Sequence, residues 1–230
     1  EVLELVEEKK NSIYYPSRTI IKFKNTEIRD IIQNKLTGNS KEINTSNCLI
    51  NLQLFSTEHK NLASDHIIEA YPLSQSWEEG TERWTAKSPT EPNGCTWVYR
   101  NESTSSKWVD GTFAAGTTGS FINQVGGGTW YTGSNFRAEN TFFAEDNLDL
   151  NLDVTTIIQK FSASYYQGAS YPTGLTNNGF IIKKTHQEEE DAFGFGELKY
   201  FSSNTHTIYP PKLTFKWDDS SYSHSGTTLT

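Results

Sequence analysis

Apolar residues recur at every second position through much of this 230-residue chain. In the run 212–217, Leu213, Phe215 and Trp217 alternate with Lys212, Thr214 and Lys216, so one face is apolar and the other wet. That period of two predicts a half-buried antiparallel strand. Similar strand patterns mark SRTIIKF from Ser17, NCLINLQLFSTE from Asn47, HIIEAYPL from His66, NNGFIIKK from Asn177 and GFGELKYFSS from Gly194. Each run is short and bounded by polar turn residues, as sandwich strands are.

Two segments change period. In IRDIIQNKL, Ile28, Ile31, Ile32 and Leu36 recur at helical spacing before Gly38 stops the run. In LDLNLDVTTIIQKF a strand turns into a short helix whose Ile157, Ile158 and Phe161 face the sheet, with Asp153 or Thr155 as its cap. Between Ser74 and Asn140 the periodicity fades while five of the six tryptophans gather among Gly, Ser, Thr and Pro. This region predicts long loops at one end of the sandwich, with short strands around CTWVYR and TWYT. The expected fold is thus an all-β, jelly-roll-like antiparallel β-sandwich with two short helices. It has an arm at 1–15, a sandwich domain at 16–218 and a linker-like tail at 219–230.

Composition narrows the function. A net charge of −8 without a basic run argues against nucleic acid. No stretch approaches the ~20 apolar residues of a membrane helix. Cys48 lies on the apolar face of its run and reads as a buried, inert thiol, although a Cys48–Cys95 bridge stays open. The chain opens at Glu1 without a signal pattern, which reads as a fragment or processed chain.

The chemistry-bearing residues are scattered. None of the five histidines falls in HExxH, and no G-x-S-x-G elbow or P-loop is present. Gly126–Gly128 read as a turn requiring positive φ. Glu78, Glu79 and Glu82 cluster beside Trp77 and Trp84, a carboxylate–aromatic grouping of the kind that cleaves sugars, but adjacent carboxylates are common in an acidic chain. The chain therefore reads as a non-enzyme with no required cofactor. Calcium is the metal its oxygen ligands suit, at Asp146, Asn147, Asp149 and Asp153 or at Glu188–Asp191. Trp97, Trp108, Trp130 and Tyr131 are candidates for stacking on a glycan. Val2, Leu3, Leu5 and Val6 need cover, from this chain's own sandwich or from a neighbouring subunit.

The order of SRTIIKF, NCLINLQLF, SWEEGTERW, GCTW, LDVTTIIQKF, NNGFIIKK, YFSS and PPKLTFKW resembles the DNRLRE type of β-sandwich module over residues 17–217. GGGTWYT and ELKYFSSNTHTIYPPKLTFKWDDS also resemble structural proteins of large tailed marine phages, of the cyanophage kind. The opening departs from the module, since residues 1–15 stand where its glycine- and asparagine-rich first hairpin is expected. The resemblance implies a homo-oligomeric virion component in tail, baseplate or head surface, acting by contact with other virion subunits. The alternative it leaves is a carbohydrate-binding or adhesive module of a bacterial cell surface or extracellular protein.

Overall fold

The described strands, in chain order, are β1 (Val2–Lys10), β2 (Ile13–Pro16), β3 (Thr19–Ile21), β4 (Cys48–Leu54), β5 (Ser56–Lys60), β6 (Asp65–Pro72), β7 (Tyr99–Asn101), β8 (Ser106–Lys107), β9 (Thr117–Thr118), β10 (Trp130–Tyr131), β11 (Ala138–Phe143), β12 (Leu150–Asp153), β13 (Phe180–Lys184), β14 (Gly196–Phe201) and β15 (Lys212–Trp217). The helices are α1 (Asn25–Asp30), α2 (Thr155–Ser162) and α3 (His186–Glu190), and α1 runs on into a π turn over Ile31–Lys35. The computed structural model describes residues 2–10, 13–36, 43, 48–60, 62, 65–81, 93–108, 117–118, 126–143, 148–162, 174–190 and 196–218.

All described pairings of the three main ladders are antiparallel. One layer has the order β11-β6-β13-β3. The facing layer joins β12-β4-β15 to β2-β1-β14-β5, because β4 and β5 are separated only by Phe55. Alternation explains what lies between them. Ile50, Leu52 and Leu54 of β4 and Leu198 and Tyr200 of β14 share one buried cluster with Ile68 and Ala70 of β6 and Phe180 and Ile182 of β13. The molecule is an all-β sandwich.

The helices pack as their spacing predicts. Ile28, Ile32 and Leu36 are all buried, and the π turn fits the four-residue step between the last two. Asp153 Oδ1 accepts the Thr155 N–H at 3.0 Å, satisfying a donor of the first turn of α2. A third helix, α3, was not expected, because HQEEE carries no apolar period. It starts where Glu188 Oε2 accepts the N–H of Thr185, and Glu188 Oε1 accepts the N–H of Ile67.

Three expectations change. Residues 2–10 do not project as an arm. They form β1, which lies between β2 and β14 in the sheet, with Leu5 opposite Leu198 and buried with it. The four apolar positions split by parity: Leu3 and Leu5 face the core, whereas Val2 lies opposite Phe201 and Val6 opposite Glu197. The described part of the loop-rich middle does not sit only at one end. It covers the outer face of the β11-β6-β13-β3 layer, where Tyr71, Leu73, Trp108, Trp130 and Ile181 make a second buried cluster. That cover is why β13 is buried along its whole length. Trp217 faces the way its period predicts, opposite Cys48, but remains 38% exposed because β15 ends its ladder. The tail 219–230 lies outside the described residues.

Candidate functional site: an aromatic cleft beside a buried ion cluster

The parity of β6 and β13 places charge under the loop cover. Lys183 and Glu69 are register partners on the same outward face as Ile181 and Tyr71. Lys183 Nζ lies 3.3 Å from Glu69 and 3.9 Å from Glu189 of α3. Arg18, just before β3, bonds Glu189 through both its Nε (2.9 Å) and an Nη (2.8 Å), in a fork that a carboxylate matches. The side chains of Arg18 and Glu189 are only 3% and 1% exposed. Arg137 joins from β11's leading end with Nε 2.9 Å from Glu69, and also pairs with Glu139. Burial pulls the Lys183 ammonium below its ordinary range, against the pull of Glu189 and Glu69.

Tryptophans roof this cluster. The Arg18 guanidinium lies 4.7 Å from the centre of the Trp97 ring and 5.3 Å from that of Trp130. The glycine run completes the roof. Gly127 donates its N–H to Trp97 O at 2.6 Å, and its own carbonyl accepts from Arg18 at 2.6 Å. All three glycines have positive φ, and a Cβ on Gly126 would stand 2.0 Å from Trp97 O. The positive φ is as expected, but its purpose is close approach to Trp97 and Arg18.

Beside the cluster opens a cleft of about 360 Å³, walled by Trp77, Trp97 and Trp108 with Arg18, Glu79 and Thr96. It adjoins a groove of about 660 Å³ that shares Trp77 and Glu79 and runs between Leu3 and Phe23. Trp77 is anchored by its Nε1–H to Asn178 O at 2.8 Å. Carboxylate, hydroxyl and aromatic faces together suit a polyhydroxylated ligand.

The glycan candidates divide. Trp97 lines the cleft. Trp108 also borders it but is 2% exposed, with its Nε1–H given to Thr96 O. Trp130 is 7% exposed and packs on Tyr71, so neither Trp108 nor Trp130 offers a free ring face. Tyr131 packs on Phe136. Trp77 is both an anchor and a cleft wall.

The calcium candidates do not converge. Asp149 Oδ1 accepts the N–H of Ser56, Asp153 caps α2, and Asp146, Asn147 and Asp191 lie outside the described residues. Glu189 of the second candidate set pairs with Arg18. Among the described residues no group of three His, Cys, Asp or Glu is arranged to hold a metal. Glu78 and Glu79 both line the groove, while Glu82 and Trp84 lie outside the described residues. Cys48 is a buried free thiol, as expected, and Cys95 is also free. No described helix is long and apolar enough to cross a membrane.

Sequence reasoning missed the ion cluster. Its signal was present as Lys183 within FIIKK, Glu69 within HIIEAY and Arg18 before TII, charges set into otherwise apolar strand runs. His66 was passed over for the same reason. It is buried, stacked 5.1 Å from Phe142, and neither ring nitrogen has a hydrogen-bond partner among the described residues. Burial holds its imidazole below the ordinary value of 6.5; Lys184 acts the same way, and Glu188 and Asp65 oppose. The unfolded chain then binds a proton that the folded chain refuses. Stability is full above about pH 6.5 and falls as pH drops below it toward the lowered folded value. Thermal melts from about pH 7.5 to 5 should show this loss in the native chain and a weaker loss in His66→Phe.

No family model, curated protein or solved structure matches the chain.

Proposed function

We propose that this chain is a non-enzymatic structural or attachment module of a phage virion, placed in tail, baseplate or head surface and acting through subunit contacts. An apolar patch on the outer face of the β1–β14 layer carries this reading. Val2 lies opposite Phe201, Phe201 stacks on Tyr209 at 6.1 Å, and Tyr209 packs on Phe55 at 5.4 Å. Ile208 beside them is 75% exposed and Tyr209 46%. Contiguous apolar surface of this kind marks contact sites on soluble folds. Val2, one of the expected contact residues, belongs to it. The rigid sandwich beneath holds the patch in one shape, which lowers the ordering cost of docking.

Light scattering over a concentration series tests the reading. The double change Ile208→Asp, Tyr209→Asp falls on exposed positions, so the chain should still melt cooperatively, lowered only by the lost packing of Tyr209 on Phe55 and Phe201. It should weaken assembly about tenfold, the equivalent of ~1.4 kcal/mol. Equal masses for both chains at every concentration would sink the reading.

The cleft favours a second reading, a carbohydrate-binding module. There a glycan array should detect binding that Glu79→Ala or Trp77→Ala removes while the double change in the patch does not.

A further inference from the structure

We infer that the outer edge of β15 pairs with β15 of a second copy of this chain, antiparallel, about a two-fold axis through Phe215. This deepens the assembly reading and rests on it, by naming one partner and the register of its contact.

β15 is the terminal strand of the β12-β4-β15 ladder, and among the described residues no strand pairs with its outer side. Its inner side is taken by β4, with Leu213, Phe215 and Trp217 opposite Leu52, Ile50 and Cys48. These three side chains are therefore set on the core-facing side, yet Trp217 is 38% exposed, with no described strand beyond it at the edge. An unpaired edge with an apolar stripe accepts another strand by main-chain hydrogen bonding.

The sequence of the edge selects the partner. Two copies joined with their apolar stripes on one face must place each residue opposite one of the same parity. Centring on Leu213 would draw Pro210 and Pro211 into the ladder, where they have no N–H to give. Centring on Thr214 sets Lys212 opposite Lys216 twice, and centring on Lys216 sets that lysine against itself. Among registers centred within Lys212–Lys216, Phe215 alone avoids both faults, and centring on Trp217 would pair most of β15 with residues beyond the strand's end. The Phe215 register sets Phe215 opposite Phe215, Leu213 opposite Trp217, Thr214 opposite Lys216 and Lys212 opposite Asp218, each unlike pair occurring twice. Aromatic pairs and opposite charges across a ladder each stabilise it, and like charges oppose it. The edge is thus self-complementary, which an isologous two-fold contact requires. Its two lysines guard against other strands and find acceptable partners in this one.

Disulfide trapping reads the register directly. Lys212→Cys and Asp218→Cys replace exposed side chains, and a cooperative melt of each variant establishes that it folds before trapping. Directly opposed residues have Cα atoms about 4.5–5.5 Å apart, within disulfide reach. Position 212 in the two copies is separated by six residues along the strand, roughly 20 Å. Under a glutathione redox buffer, an equal mixture of the two variants should form a covalent dimer. Neither variant alone should do so beyond the native chain, which carries the same Cys48 and Cys95. Phe215→Cys alone should form one. No covalent dimer in the mixture, or equal dimer from each variant alone, overturns the inference. Should mass rise with concentration while the mixture stays uncrosslinked, this edge is excluded and the assembly reading stands. Should the mixture crosslink while Ile208→Asp, Tyr209→Asp leaves association untouched, the pairing stands and the patch loses its role.

Discussion

Deleting residues 1–15 is expected to abolish cooperative folding, not to release a monomer from an assembly. β1 sits between β2 and β14, and six of its residues have register partners along β14. Its removal turns the inner strand β14 into an edge and uncovers Leu198 and Tyr200, both fully buried. Leu5 gives a scale for the loss: Leu5→Ala alone should cost about 2–5 kcal/mol, from lost transfer energy and the cavity left behind. Domains of this size are stable by only about 5–15 kcal/mol. Losing the whole strand exceeds that margin. Thermal melts followed by circular dichroism, with limited proteolysis, would test it. A truncated chain that melts cooperatively at the native temperature would show that the strand is dispensable and restore the picture of an arm. A fall in mass on truncation therefore carries no information about subunit contacts unless folding is shown first.

Arg18→Ala is expected to cost about 3–5 kcal/mol, the usual penalty for leaving a buried charge without its partner. Arg18, Lys183, Glu69 and Glu189 balance two positive and two negative charges beneath the tryptophan roof. Without Arg18, Glu189 keeps Lys183 only at 3.9 Å, and the positive face under Trp97 is gone. Arg18→Lys should recover little, because an ammonium cannot reproduce the two-pronged bond to Glu189 or reach Gly127 O at the same time. The double change Arg18→Met, Glu189→Leu should recover most of the loss, because an apolar pair of similar volume avoids the desolvation cost. Denaturant melts of the two single variants and the double variant give the coupling. A double variant as damaged as the sum of the singles would remove the pair as the cause. So would a cost below about 1 kcal/mol for Arg18→Ala, the range of exposed pairs.

How far the sequence reads can be seen at Leu213–Trp217 and at Phe180–Lys184. In the first, alternation correctly predicts which face turns inward, but depth depends on a strand at the outer side of β15, and none pairs there among the described residues. In the second, FIIKK reads as a strand run ending in two lysines. The structure buries both lysines: Lys183 lies on the outer face under the loop cover, and Lys184 lies on the opposite face beside Ile68. The candidate site shows the same limit. Trp97 and Trp108 were singled out by proximity in sequence, and both reach the cleft. Arg18 and Glu189, 171 residues apart, carry no mutual signal in a single sequence.

What the sequence determined by itself was local: strand against helix, inward against outward, and where the α2 cap falls. These follow from the fixed periods of 2 and 3.6 and from side chains bonding to nearby backbone. Only the tertiary structure decided that Val2–Lys10 is an inner strand, that Trp108 and Trp130 are buried, and that four charges share a dry space. Each depends on which distant segments lie side by side, and burial by a distant segment leaves no period in the chain it covers.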